Sequence, residues 1–440
     1  MLGVKRCFRS VAIVAASVAI TGTAPIARAG GFSIFEAGSQ ATAMGGAFVA
    51  QADDPSAMFY NPAGLAGNQK VTAMIGGTAV FFDAKLKEGF APFPGAGYSA
   101  DQKKQVIPLP NFYLAIPVAK DMNVSLGAWT PFGLSTAWDK PDEFRGRFLS
   151  QRVDLRQFAL GLQFSAKLAD WIAIGAGPEL RIGDVKLQRN AVVFNPFTAR
   201  PVDAAHVDII TDGLETRVSY SLGLLITPAR GLRLGGSYHA HVDVEYEGSA
   251  RFYPLSTGNA QLDAAFAAKI PLSTNVPVTT TIQFPSIVMF GIAYDICDAL
   301  TVEVDGNYTS WKVFEDTVLA FGTVNGKTPP TSILKHNWEN TWTVRGGVKL
   351  KASPSVNLMA GVYYDQTPQP DEDVSPLLPD ANRTGATIGL GLKIGKASMI
   401  EASNLFLFFH ERTTRTNVDN FNASYKTFAD LFAINFRTSF

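Results

Sequence analysis

His239, His241 and Asp243 sit two apart along one stretch, and on an extended strand such positions share a face, a spacing that could hold a transition metal. Packing on a polar strand face explains the trio without a metal, so no metal is expected. Three cations raise a different chemistry. Arg181, Arg345 and Lys349 fall at inward-type positions of alternating segments, and a sheltered cation is what holds a carboxylate in apolar surroundings. Ion pairing inside the protein accounts for each of them equally well. Catalysis finds no support: the chain has 5 histidines and no nucleophile elbow, phosphate-binding loop or cysteine-based metal site. Neither an enzyme nor a cofactor is expected.

The elements that would position these side chains begin behind a leader. Lys5, Arg6 and Arg9 precede the apolar run Val11 to Ile20, and Ala27-Arg28-Ala29 offers small residues where a signal peptidase reads. Residues 1–29 are therefore expected to be a cleaved signal, the run being shorter than the ~20 residues of a spanning helix. The whole chain balances 38 Lys+Arg against 38 Asp+Glu. Losing the leader's bases leaves a slight acidic excess, which argues against a nucleic-acid partner.

Beyond the leader, apolar residues recur with period two. Phe158, Leu160, Leu162, Phe164 and Leu168 alternate with Ala159, Gly161, Gln163, Ser165 and Lys167, and the stretch Trp338 to Leu350 repeats the pattern. From Leu232 to Glu247 the even positions are mostly apolar and the odd ones carry Arg233, His239, His241, Asp243, Glu245 and Glu247, which predicts one continuous strand with an ionic lumenal face. About fourteen such segments follow residue 70, the even number a closed bacterial barrel requires. Their connections alternate short and long. Short turns lie near Ala119-Lys120-Asp121, Ala169-Asp170 and Lys396-Ala397, and long ones span roughly 84 to 108, 131 to 151, 191 to 214 and 254 to 278, as periplasmic turns and extracellular loops do. A soluble sandwich also alternates. The last segment argues against it, because Phe428, Phe432, Ile434, Phe436 and terminal Phe440 share one face, and a final aromatic on an alternating strand resembles the signal that the barrel-assembly machinery reads.

The fold expected is thus all-β: a 14-stranded antiparallel transmembrane barrel over residues 70–440. Residues 30–69 lack alternation, are rich in Gly, Ala and Ser, and carry the anchors Phe32, Phe35, Met44, Phe48, Met58, Phe59 and Tyr60. They are expected to fold as a plug inside the lumen.

Three runs, Ala43-Met44-Gly45-Gly46-Ala47, Ala52-Asp53-Asp54-Pro55-Ser56-Ala57 and Phe59-Tyr60-Asn61-Pro62-Ala63-Gly64-Leu65, resemble the N-terminal hatch of the FadL and toluene-transporter (TodX) family, with its Asn-Pro-Ala triplet. Tyr308-Thr309-Ser310-Trp311, Trp338-Glu339-Asn340-Thr341-Trp342, Gln366-Thr367-Pro368 and Pro379-Asp380-Ala381-Asn382-Arg383 resemble later family motifs in matching order. The resemblance implies a plugged fourteen-stranded barrel that takes up long-chain fatty acids or aromatic hydrocarbons and releases them through an interrupted third strand. Gating then falls to Asn61, Pro62 and Ala63, and the lateral opening to Pro131 and Gly133, a proline being hard to place in a paired strand. Pro131 ending its strand at a loop is the equal alternative.

Two loops offer apolar capture surface: Phe194 and Phe197 in one, and Leu262 and Phe266, at helical spacing, in the other. Ile287 and Met289 are apolar at inward positions, suited to a ligand pocket or to packing on the plug. The function expected is passive transport of hydrophobic molecules across the bacterial outer membrane by a monomer, with fatty acids ahead of toluene-like cargo. Its other partners would be outer-membrane lipid, lipopolysaccharide and the barrel-assembly machinery. An open diffusion porin and a barrel lipase are the competing classes.

Overall fold

The computed structural model describes residues 30–197 and 200–440, so the expected signal lies outside the described residues. Fourteen strands form the wall: β1 (Thr72–Gly89), β2 (Gln105–Ala119), β3 (Met122–Ala137), β4 (Arg152–Ala169), β5 (Ile172–Asn195), β6 (Glu215–Ala229) and β7 (Leu232–His239). Then follow β8 (Ile287–Cys297), β9 (Leu300–Thr309), β10 (Thr341–Ser353), β11 (Val356–Asp365), β12 (Arg383–Ile394), β13 (Ser398–Phe409) and β14 (Ala423–Ser439). Each pairs antiparallel with its neighbours, and β1 pairs with both β2 and β14, which closes the cylinder. Closure is what lets backbone groups pair inside a bilayer. Burial alternates along the strands, so that Phe428, Phe432, Ile434 and Phe436 of β14 lie on the exposed face while Ala429, Leu431 and Ala433 are buried. Among the described residues no helix is long and apolar enough to span a membrane.

The segment Leu232 to Glu247 corrects the sequence expectation. It is two strands: β7 stops at His239, and a second strand, Val242–Pro254, begins after Ala240 and His241. The intervening residues shift the phase, and a shift by one sends every later side chain to the other face. Val242, Val244 and Tyr246 are therefore buried inside, while Asp243, Glu245 and Glu247 are exposed. His239 faces the lumen and His241 does not; His241 pairs instead with Asp243 at 2.7 Å. The three do not form a common cluster.

The partner strand bends at the same level. Asn275–Phe284 pairs with Val242–Pro254, and β8 resumes after Pro285 and Ser286. Val242–Pro254 also pairs with Arg200–Thr211, which pairs with the end of β5, so much of two expected loops is an outward extension of the wall. A helix, Ala260–Lys269, occupies the loop where helical spacing predicts it.

Inside, residues 30–67 are almost wholly buried, with short helices Ser39–Ala43 and Ala57–Tyr60 and a 3-10 turn Pro62–Gly67. Met44, Phe48, Met58, Phe59 and Tyr60 form a core with wall residues Tyr113, Trp129, Tyr246, Phe284, Ile287 and Met289. Two carboxylates of β9 bind its backbone. Asp305 accepts from the amides of Phe48 (2.7 Å) and Val49 (3.0 Å), and Glu303 from those of Ala50 (2.6 Å) and Gln51 (3.1 Å). Wall glycines admit the backbone: a Cβ on Gly361 would meet the Met44 carbonyl carbon at 2.2 Å, and one on Gly223 would meet Asn61 Oδ1 at 2.4 Å.

Candidate transport path

The ladder between β2 and β3 is incomplete. It runs from Ala119↔Met122 to Phe112↔Ala128 and stops, while β3 continues to pair with β4 across a bulge between Trp129 and Phe132. Thr130 and Pro131 occupy that bulge, and Pro131 has no amide hydrogen to offer a ladder. Its carbonyl accepts instead from Ile34 N (2.9 Å), and Gly133 N donates to Phe32 O (3.0 Å), so the N-terminal segment takes the edge that β2 has left. The wall closes again above, where Lys103 N donates to Ala137 O (2.7 Å) and Asp139 N to Asp101 O (3.0 Å). Residues Gln105 to Asn111 of β2 thus border an unpaired seam, on the order of 20 Å long at ~3.3 Å per residue.

Two cavities lie behind it. The outer, about 340 Å³, is walled by Val153, Leu187, Ile209, Tyr246, Val278 and Leu319, with Arg189, His336 and Asp373 among its polar lining. Burial beside Phe314 (ring centroids 4.4 Å apart) pushes His336 down to about 4, so it is neutral at ordinary pH. The inner cavity, about 490 Å³, follows the seam along Val106, Ile107, Pro108 and Leu109 on one side and Gly133 to Thr136 on the other. Phe32, Leu134, Leu155 and Leu378 line both cavities, and these four side chains separate one from the other.

A closed fourteen-strand cylinder, filled from its own N-terminus and bearing apolar cavities at a seam, has relatives. A family model described as outer membrane protein transport protein (OMPP1/FadL/TodX) matches residues 20–440. The chain belongs to this family. An outer membrane protein of Neisseria meningitidis serogroup B is 25% identical over 460 residues, covering 96% of this chain and 98% of the relative. A long-chain fatty acid transport protein of Escherichia coli O6:H1 is 20% identical over 376 residues, 81% of each chain. The crystal structure of a Pseudomonas aeruginosa FadL homologue shares the fold with a TM-score of 0.80 at 21% identity, over 93% of this chain and 100% of that one. The protein is accordingly an outer-membrane channel for hydrophobic compounds and not an enzyme.

Within this FadL/TodX-family barrel, Asn61, Pro62 and Ala63 are buried against β5 and β6. The Asn61 amide donates to Val49 O (2.8 Å) and Leu224 O (2.9 Å), and its oxygen accepts from Ala63 N (3.2 Å). Pro131 and Gly133 border the seam, and Gly133 lines the inner cavity. Of the expected cations only Arg345 lines a cavity, the inner one; it donates to Gly45 O (3.0 Å) and lies over the rings of Phe35 and Tyr363. No carboxylate lies within 4.0 Å of it among the described residues. Arg181 is tied to Glu179 (2.6 Å), and Lys349 to Asp53 (2.8 Å).

The apolar candidates lie apart from the cavity walls. Phe194 and Phe197 are 63% and 75% exposed, and neither lines a cavity; Phe266 backs the cluster that walls the outer one, and Leu262 is half-buried. Ile287 and Met289 pack into the core shared with the N-terminal segment. What sequence reasoning missed is the partition, Phe32, Leu134, Leu155 and Leu378, and the further arginines of the inner cavity, Arg152, Arg156 and Arg383, the last of which pairs with Asp365 at 2.7 Å. Arg383 ends the Pro379-to-Arg383 motif, a signal that was available; the partition joins the cross-strand pair Leu134 and Leu155 to Phe32 and Leu378 from distant segments and left none.

Proposed function

We propose that the protein passes long-chain fatty acids from the cell exterior into the outer leaflet. Cargo enters the outer cavity, crosses the partition at Leu134 into the inner one, and leaves sideways through the seam between β2 and β3. The observation that carries this is the continuity of apolar lining from one cavity to the other and on to the seam. A sideways route keeps the chain out of water, where each methylene costs ~0.8 kcal/mol and about fifteen cost roughly 12 kcal/mol. Arg345, which has no carboxylate within 4.0 Å among the described residues although Glu36 and Asp365 line the same cavity, is placed to meet a carboxylate there. Residues 30–67 act as the hatch, Asn61, Pro62 and Ala63 being its hinge on β5 and β6.

Uptake of radiolabelled oleate and of toluene in a strain lacking its own transporter tests the reading. Oleate uptake that depends on the protein supports it; toluene uptake without oleate uptake transfers the assignment to aromatic hydrocarbons. An open porin is distinguished by liposome swelling with small sugars, which the plugged barrel should not support.

A further inference from the structure

At the end of the barrel that carries the short turns, its periplasmic end, the lumen opens into a vestibule of about 680 Å³. The vestibule lies between the turn before β9 and the end of β14, and it shares no lining residue with the two cavities of the transport path. Basic side chains dominate it. Lys351, Lys393, Lys396 and Arg437 line the room against one acid, Asp298. Alternation turns them to the lumen and away from lipid: Lys351 is two residues beyond buried Lys349, and Arg437 two beyond buried Asn435. Lys393, Met399 and Arg437 form one cross-strand row over β12, β13 and β14, and Lys396 sits in the turn beside it.

The acids nearby are already engaged. Asp295, which feels the charge of Lys351, holds Arg233 through both oxygens (2.9 Å each), and Glu401 holds Arg437 (3.0 Å). Among the described residues no carboxylate lies within 4.0 Å of Lys351, Lys393 or Lys396, all three of which are exposed to solvent. Arg437 also reaches the N-terminal segment. Asp53 is the one exposed residue of that segment between 30 and 67; its carboxylate meets Lys349 (2.8 Å) and its carbonyl accepts from Arg437 (3.4 Å). The vestibule is thus joined through one arginine to the solvent-facing acid of the plug.

We propose that the vestibule binds a multivalent oxyanion from the periplasm, phosphate or the phosphate ester of a small soluble molecule, between Lys351, Lys393 and Arg437, and that the bound anion shares Arg437 with Asp53. Ammonium groups without acids around one room focus a positive field in it, and lysine holds phosphate as a point charge. The volume is that of a small-molecule site. Fatty-acid cargo does not suit it, since Met399 is the one large apolar side chain in the lining and leaves an acyl chain nowhere to lie. Facing the lumen, the row is open to soluble anions, whereas a head group of the inner leaflet would have to cross the rim of turns. An anion that draws on Arg437 loosens its hold on Asp53, so the plug feels the periplasmic side. The site stands apart from the cargo reading, and failure of either leaves the other.

Equilibrium dialysis of radiolabelled inorganic phosphate against the detergent-purified full barrel, in dilute chloride, tests the site. One saturable site is expected. Lys351→Gln and Lys393→Gln should each weaken it about threefold, the worth of one solvated ion pair, and the double variant about tenfold. Both lysines are exposed and without an acid partner, so heat-modifiable gel mobility should be unchanged. Asp53→Asn removes the acid that competes for the cations and should tighten binding about threefold, a sign that general damage does not give. No saturable binding by the unaltered barrel, or equal binding by the double lysine variant, overturns the site. Affinity unchanged or lowered in Asp53→Asn overturns the link to the N-terminal segment. In nanodiscs, phosphate binding that survives replacement of phosphatidylcholine by phosphatidylglycerol supports a soluble anion, and binding abolished by that lipid overturns it in favour of a head group.

Discussion

At the scale of single residues, the interior is held by polar groups that touch backbone. Asp305 and Glu303 receive four consecutive amides of the N-terminal segment, and removing an acceptor strands buried donors at about 1–3 kcal/mol each. Asp305→Leu should therefore loosen that segment and raise single-channel conductance in planar bilayers; a conductance no different from the parent would remove the anchor. Gly361 has the opposite problem, since any side chain there meets the backbone of Met44 and Gly45. Gly361→Val should cost about 1–3 kcal/mol by overpacking and make residues 40–50 more open to protease, a result gel mapping of fragments would show. Asp305 is legible as an inward polar position of an alternating strand, but its partner is not, because the amides it binds lie some 250 residues earlier.

Among elements, the interruption of β3 and the bend after β7 matter most. Leu134, next after the bulge and Gly133, lines both cavities. Leu134→Trp should block passage and lower oleate uptake about tenfold, with the heat-modifiable gel mobility of a folded barrel retained; normal uptake would place the route elsewhere. The extracellular loop carrying His336 adds a pH dependence. Its folded value of about 4 lies below that of a free histidine, ~6.5. The opened loop therefore binds the proton first, and the closed loop is fully favoured above pH 6.5 and loses its advantage as pH falls toward 4. Fluorescence of Trp338, whose ring centre is 6.0 Å from His336, should report that opening, and His336→Phe should abolish the response. Proline at 131 signals the bulge in the sequence. The phase change at Ala240 and His241 carries no such mark, since either register keeps apolar residues on one face.

For the whole molecule, the barrel and its filling are separable claims. Deleting residues 30–65 should leave a cylinder that still migrates heat-modifiably, because every wall strand keeps both neighbours. Cargo handling should change, and uptake unaltered for all hydrophobic substrates would end the gating role. On the proposed route, a defect at the outer cavity, the partition, the inner cavity or the seam should depress flux while leaving assembly intact.

By itself the sequence determined the cylinder. Period-two alternation, alternating loop lengths and an even strand number are local properties, and a strand facing lipid outside and a polar lumen inside has no other way to be built. The Asn-Pro-Ala run is contiguous, so its resemblance to a family motif was legible, and the structure buries it against β5 and β6. Only the tertiary structure decided where the ladder opens, which cations are spent on internal pairs and which side chains part the cavities. Arg181, Arg345 and Lys349 look alike along the chain, yet Lys349 meets Asp53, Arg181 meets Glu179 and Arg345 has no carboxylate within 4.0 Å among the described residues. Arg181 and Glu179 are two apart on one strand face, a pair alternation allows, but Asp53 lies 296 residues from Lys349 and reaches it only because the N-terminal segment folds inside the barrel, and alternation carries no information about that.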